Sequence, residues 1–291
     1  MAQKKMRCQM KRTLNGLYHM GKGTPRKDIK DKKNWSPFIH SQATYDTYLK
    51  ECNKFCDYAQ EMFGYNRVDE KIDTIVHEYI GYLKDKGLSA PSISTALHGI
   101  AKGLNRRAES FDIELPKRKR ADITRSRLER AYDKHFNSEN HKDLVTFQRC
   151  FGLRKDKELA VITLKNITDD GKDLYCTVKG KGGKIRIVKA YGTAEEKEQI
   201  REYLKTRPMG AKLFPDIPKA FDAHSIRAEY ASRVYHTHTR DIKTLSDAKD
   251  KYICRGDMKG KVYDRQALKI VSQALGHNRA DVVVNNYAWK F

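Results

Sequence analysis

LGHNRADVVVNNYAWKF, residues 275–291, decides how the whole chain is read. Gly276 follows a run with helical spacing, and glycine is the residue type that most readily ends a helix in the left-handed conformation. His277 comes directly after it, and Tyr287 follows ten positions later. Alone, this fits a helix stop and an aromatic packed in a core, since the chain holds sixteen tyrosines. The stretches upstream decide between packing and chemistry.

Three of them stand out. FGLRKDKELAVITLKNI (151–167) carries Arg154, read here at the head of a helix. VKGKGGKIRIV (178–188) joins two segments, DLYCTVK and KIRIVK, whose residues alternate with period two; the GKGG between them is a turn signal. A β-hairpin tipped by Lys181 is expected. AHSIRAEYASRVYH (223–236) spaces His224 and Arg227 one helical turn apart, and helices are expected at 224–236 and 264–276.

Ahead of these lies a different kind of sequence. Tyr45, Leu49, Cys52, Cys56, Ala59 and Phe63 recur in steps of three and four, with Gly64 as a stop. Ile72, Ile75, Val76, Tyr79 and Leu83 form a second apolar face, closed by Gly87. Ser89 and Pro91 open a third helix that buries Ile93, Leu97, Ile100 and Leu104. Lys50, Lys54, Lys84, Lys102, Arg106 and Arg107 fall on exposed positions suited to a phosphate backbone. Residues 1–34 hold eleven Lys or Arg and little apolar periodicity, and are read as a basic extension. LPKRKRADITRSR (115–127) breaks the pattern with Pro116 and six basic residues, as a linker would. The expected organisation is a basic extension at 1–34, a helical unit at 35–114, a basic linker at 115–127 and a second unit at 128–291. The second unit starts helically, with Leu128, Ala131 and Tyr132 and then Leu144, Phe147 and Phe151. The fold class is mainly α with a small β-sheet in the C-terminal unit.

Composition narrows the partners. Lys and Arg number 59 against 37 Asp and Glu, a formal net charge of +22, which calls for a polyanion. No apolar run is long enough to span a bilayer, and no apolar segment follows the basic N-terminus, so neither a membrane span nor a secretory signal is expected. Six scattered cysteines lack a paired framework, which suits a reduced, cytoplasmic protein. Cys52 and Cys56, one turn apart, have no second ligand pair nearby and are read as buried thiols. His236 and His238 lack a carboxylate partner, and Arg255–Asp257 spells an adhesion tripeptide that is read as chance. The 237–263 stretch is expected to be an insertion or flexible loop near nucleic acid.

In their order, the GLR box, the GKG hairpin, the HxxR box and the LGH…Y ending resemble the tyrosine recombinase (phage integrase) family, over roughly residues 36 to 291. The resemblance implies a helical core-binding domain, a basic linker and a catalytic domain that close on duplex DNA. It implies site-specific recombination, integration or excision of a mobile element, with a homotetramer on two DNA sites and accessory bending or directionality factors in some settings. Tyr287 is then the nucleophile of a covalent 3′-phosphotyrosine intermediate, which conserves the phosphodiester energy without ATP. Arg154 and Arg227 are suited to clamp the pentavalent phosphate, and Lys181 to protonate the leaving 5′ oxygen. His224 leans toward the base and His277 toward phosphate contact. No cofactor and no metal are called for.

Two departures matter. Many relatives carry, beyond the tyrosine, a segment that docks on a neighbouring protomer; here residues 288–291 follow, with Trp289 and Phe291 read either as anchors in a neighbour or as local packing. The family also sets an acidic residue three positions after the GLR arginine, where Lys157 stands here. Asp156 and Glu158 flank it, and Glu158, one helical turn from Arg154, is placed to support it. Each residue also has an ordinary reading. Arg154 and Arg227 are common as surface charges, His224 beside Ile226, Tyr230 and Val234 as a core histidine, and Lys181 as a solubilising turn residue, with Lys179 and Lys184 close by. Two other functions share the fold: a catalytically silent DNA-binding protein, and a type IB topoisomerase-like nicking–closing enzyme.

Overall fold

The computed structural model describes residues 5–31, 35–119, 136–180, 183–288 and 291, and the chain divides into two compact units, Met1–Asp122 and Ile123–Phe291. Among the described residues no helix is long and apolar enough to cross a membrane.

The first unit is helical: α1 (Met6–Gly21), α2 (Arg26–Ile29), α3 (Gln42–Phe63), α4 (Ile72–Asp85) and α5 (Ala90–Gly103). The apolar faces read from the sequence are those that close its core, with Phe55, Val76, Ile80 and Ile100 fully buried. Ser41 caps α3, its hydroxyl accepting from the Thr44 amide at 3.2 Å, and Gly64 ends that helix in the left-handed conformation. Ser89 stands at the start of α5, but its hydroxyl meets Ser92 at 2.9 Å instead of a backbone amide. Cys52 and Cys56 are buried thiols; the first points at the Gly99 carbonyl (3.3 Å) and the second at the Met10 sulfur (3.7 Å).

The N-terminal residues differ from the expectation of a basic extension. Met6, Met10, Leu14 and Leu17 are buried in this core, and α1 packs on α3 and α5. Their spacing of four, four and three is helical and was legible, but the surrounding charge obscured it. Several of the cations expected to face phosphate also have partners within the unit. Arg107 pairs with Asp31 (2.9 Å), Arg106 with Asp73 (3.0 Å), Lys84 with the Glu114 carbonyl (2.9 Å) and Lys102 with the Pro37 carbonyl (2.9 Å). These four hold the unit together internally. Of the expected linker, residues 115–119 are described and lie outside helix and strand, while 120–127, and the helix start at Leu128, Ala131 and Tyr132, lie outside the described residues.

The second unit is α+β. A three-stranded antiparallel sheet, β1 (Ile167–Asp169), β2 (Leu174–Lys179) and β3 (Ile185–Lys189) in that order, lies among α6 (Lys142–Phe151), α7 (Ala194–Lys205), α8 (Ala223–His238), α9 (Arg265–Ala274) and α10 (Ala280–Asn286). β2 and β3 are the hairpin read from the alternation, with Cys176 opposite Val188. Phe147, Phe151, Leu174, Val188, Tyr230 and Leu268 are buried together in its core. The 237–263 stretch is more structured than expected. It contains a second hairpin, β4 (Lys251–Ile253) and β5 (Val262–Asp264), with Cys254 and Tyr263 buried. The cause is Asp264: its carboxylate takes Arg240 at 2.8 Å on each oxygen and also caps α9 through the Gln266 amide (2.8 Å). The hydrogen bonds from Arg240 hold that carboxyl well below the usual range.

Because Leu14 is fully buried, Leu14→Ala should destabilise the first unit by about 2–5 kcal/mol in urea unfolding. An unchanged midpoint would mean that α1 does not belong to that core.

Candidate active site

The site forms where three chain segments end. Gly152 stops α6 with φ of +56°, and a Cβ there would lie 2.4 Å from the Tyr230 ring, so both the conformation and the space require glycine. The chain then turns through Leu153 and Arg154. Arg154 does not head a helix, as its sequence suggested, but opens a single tight turn whose carbonyl accepts from the Glu158 and Leu159 amides. Buried Gln148 fixes this turn against α8: its amide nitrogen donates to the Leu153 and Ala223 carbonyls at 2.8 and 2.9 Å, and its oxygen accepts from the Leu153 amide. Lys155 ties the same turn to the loop before α8 through the Pro218, Lys219 and Phe221 carbonyls.

Asp222 caps α8, accepting from the His224 and Ser225 amides. That sets His224 in the first turn, exposed, and Arg227 one turn on, 2 % exposed. The core-histidine reading of His224 is thereby excluded. At the third segment, α9 ends in a Schellman motif: the Gly276 amide donates to the Gln273 carbonyl and the His277 amide to Ser272 at 2.7 Å. α10 comes next, anchored by Val283 and Val284, and Tyr287 lies just past its last turn. Phe291 stacks on Tyr235 at 4.5 Å and meets Tyr263 edge-on, so it packs within its own chain; Trp289 lies outside the described residues.

Five of the six sequence-derived residues come together. The Arg227 Nε donates to the Tyr287 hydroxyl at 3.3 Å, and its Nη2 to the Leu275 carbonyl at 2.6 Å. Arg154 Nη2 donates to the same carbonyl at 3.2 Å. The rings of His224 and His277 lie 5.1 and 6.2 Å from that of Tyr287. Lys181, the sixth, lies outside the described residues. Among the described residues nearby, the Gly180 amide donates to the Lys184 carbonyl, and Lys184 reaches Asn278 at 3.2 Å.

Two further residues complete the centre. Glu158, 1 % exposed, accepts from the Arg154 side chain (2.6 Å) and backbone amide (2.8 Å), which answers the departure noted at Lys157. It also takes Arg186 on both oxygens, at 2.6 and 2.8 Å, with Arg227 3.9 Å away. Sequence reading did not single out Arg186. The signal was a charge set between two β-branched residues in a strand, since Ile185 and Ile187 are exposed and Arg186 faces inward.

The electrostatics arise from this crowding. Burial alone would raise the Glu158 carboxyl, but hydrogen bonds from Arg186 and the Arg154 amide, with the nearby guanidinium charges, outweigh it and hold it at about 2. Burial, reinforced by Arg227, Arg154 and Arg186, holds the His277 imidazole down at about 4. Chemically, the arrangement offers several guanidinium donors and two imidazole rings around one phenol. That set suits binding an anion and transferring a proton at its edge.

No protein-family model matches the sequence, and no curated protein matches it. Solved structures do. The Tn1549 transposon integrase, in complex with circular intermediate DNA, is 14% identical with a TM-score of 0.52, over 96% of this chain and 94% of that one. The XerH site-specific recombinase, bound to difH substrate before cleavage, is 15% identical with a TM-score of 0.51, over 97% and 92%. At such identities the likeness is one of fold alone: mainly α, with a small antiparallel sheet.

The depressed His277 value sets a pH dependence. Between about 6.5, the unfolded value, and about 4 the unfolded chain binds a proton that the folded one does not. This contribution to stability is complete above that window and is lost as pH falls through it. The stability of the wild type should therefore fall more steeply from pH 6.5 to 4 than that of His277→Gln. Parallel pH profiles for the two would contradict the assignment.

Proposed function

We propose that this chain is a DNA strand-exchange enzyme of the tyrosine-recombinase type. The observation that carries the reading is the Tyr287 hydroxyl, 3.3 Å from the buried Arg227, with Arg154 on the same carbonyl and two imidazoles alongside. A structural tyrosine has no need of this setting. The fold is shared with two proteins solved on DNA, and the net charge of +22 suits the same kind of partner.

In this reading the Tyr287 oxygen attacks the scissile phosphorus, and the bond from phosphorus to the 5′ oxygen breaks. The phenolic proton passes to an imidazole, His224 being the exposed one, and the leaving 5′ oxygen takes a proton from Lys181. Arg154 and Arg227 bear on the non-bridging oxygens, where charge grows as the pentavalent state forms. Neutral His277 can donate one N–H to the same oxygens. A 5′ hydroxyl from another strand reverses the sequence and seals the exchange. Four protomers on two sites would carry it out in pairs.

Covalent trapping tests the reading. With nicked duplexes from candidate element junctions, the wild type should leave a denaturation-resistant protein–DNA adduct that Tyr287→Phe does not. Tight, specific binding without any adduct would favour the silent DNA-binding alternative. Affinity should also fall steeply with salt, roughly 10³–10⁵-fold between 50 and 200 mM if six to ten phosphates are contacted. A flat salt response would remove the basic-surface argument.

A further inference from the structure

Arg186 raises a question that the proposed chemistry leaves open. It is a third guanidinium beside Arg154 and Arg227, with only 9 % of its side chain exposed, and both of its terminal nitrogens are spent on Glu158. Its Nε donates to the Ala274 carbonyl at 3.2 Å, at the end of α9 and next to the Leu275 carbonyl that holds Arg154 and Arg227. It fills the space between two glycines: a Cβ on Gly276 would lie 2.9 Å from Arg186 Nη1, and one on Gly180 3.1 Å from it. Arg186 therefore joins the hairpin strand, the Arg154 turn and the end of α9 at one point.

The distances around Glu158 suggest why. One carboxylate faces three cations, of which Arg154 and Arg186 are in hydrogen-bond contact while Arg227 stands 3.9 Å off. Arg227 instead bonds Tyr287, Leu275 and Gly152. Without Arg186, one oxygen of a fully buried carboxylate would lose its side-chain partner and the other would keep only Arg154. A buried carboxylate that loses one of its two ion-pair partners is costly, and the nearest further cation able to relieve it is Arg227. Moving there would take Arg227 off the Tyr287 hydroxyl.

We infer that Arg186 is a positioning residue: it occupies Glu158 so that Arg227 remains on Tyr287 and Arg154 keeps its aim. The inference rests on the proposed reading of the site as a phosphate clamp. It separates from an ordinary structural ion pair in one respect. If Arg186 works by quenching Glu158, neutralising Glu158 should repair its loss; if the pair merely braces the fold, removing both partners should hurt at least as much as removing one.

The experiment compares single-turnover adduct formation on the same nicked duplexes by wild type, Arg186→Gln and the double variant Glu158→Gln/Arg186→Gln, with DNA affinity measured alongside. Arg186→Gln should slow adduct formation by about 100-fold, while affinity stays within about threefold. The double variant should recover at least about tenfold of that loss. A single variant as fast as wild type, or a double variant as slow as the single, overturns the inference and leaves the proposed function standing. Absence of an adduct even with the wild type overturns both. If Arg186→Gln does not fold, the double variant decides alone: a rate within about tenfold of wild type sustains the inference, and a loss as deep as that of Arg154→Ala overturns it.

Discussion

Like charges do not collect in a protein interior unless something holds them, and here three guanidiniums share one small volume. Two elements hold them. One is the Glu158 carboxylate, buried and bonded on both oxygens. The other is the end of α9, where the Ala274 and Leu275 carbonyls, left without helical partners, accept from Arg186, Arg154 and Arg227. The helix dipole places partial negative charge at that same end. One carboxylate and one helix terminus do not balance three full cations, so the centre remains positive. An anion is the kind of ligand that would complete it.

Around this centre the structure fixes backbone first and side chains second. Gln148 and Lys155 pin the Arg154 turn, Asp222 starts α8 where His224 and Arg227 must stand, and Asp264 starts α9 while gripping Arg240. None of these four need touch a ligand. Each decides where a helix begins or a loop closes, and a site built on element ends depends on such decisions.

The sequence was informative where chemistry demands a residue type, and less so where tertiary context does. GLR, HxxR and LGH…Y stood out because Arg154, Arg227, His277 and Tyr287 sit beside turn and cap signals that fix their spacing. The hairpin was legible from alternation, but alternation does not say which face points inward. Counting apolar residues as buried would put Ile185 and Ile187 inside and Arg186 outside, the reverse of what the ion cluster imposes. In α1 the apolar stripe was present, yet the charge around it outweighed the pattern. Gln148 and Asp264 gave no signal, because a buried polar residue is recognised by its partners and those are distant in sequence.

The ten-position step from His277 to Tyr287 acts as a ruler. The upstream end is fixed by the Schellman motif at Gly276, and beyond the tyrosine Phe291 is seated on Tyr235 and Tyr263. Helix α10 lies between, and one residue added to a helix turns the chain beyond it by about 100° and advances it by about 1.5 Å. Substitutions within that span can be absorbed, whereas insertions and deletions cannot. Variation along this part of the chain is therefore limited in length well before it is limited in composition.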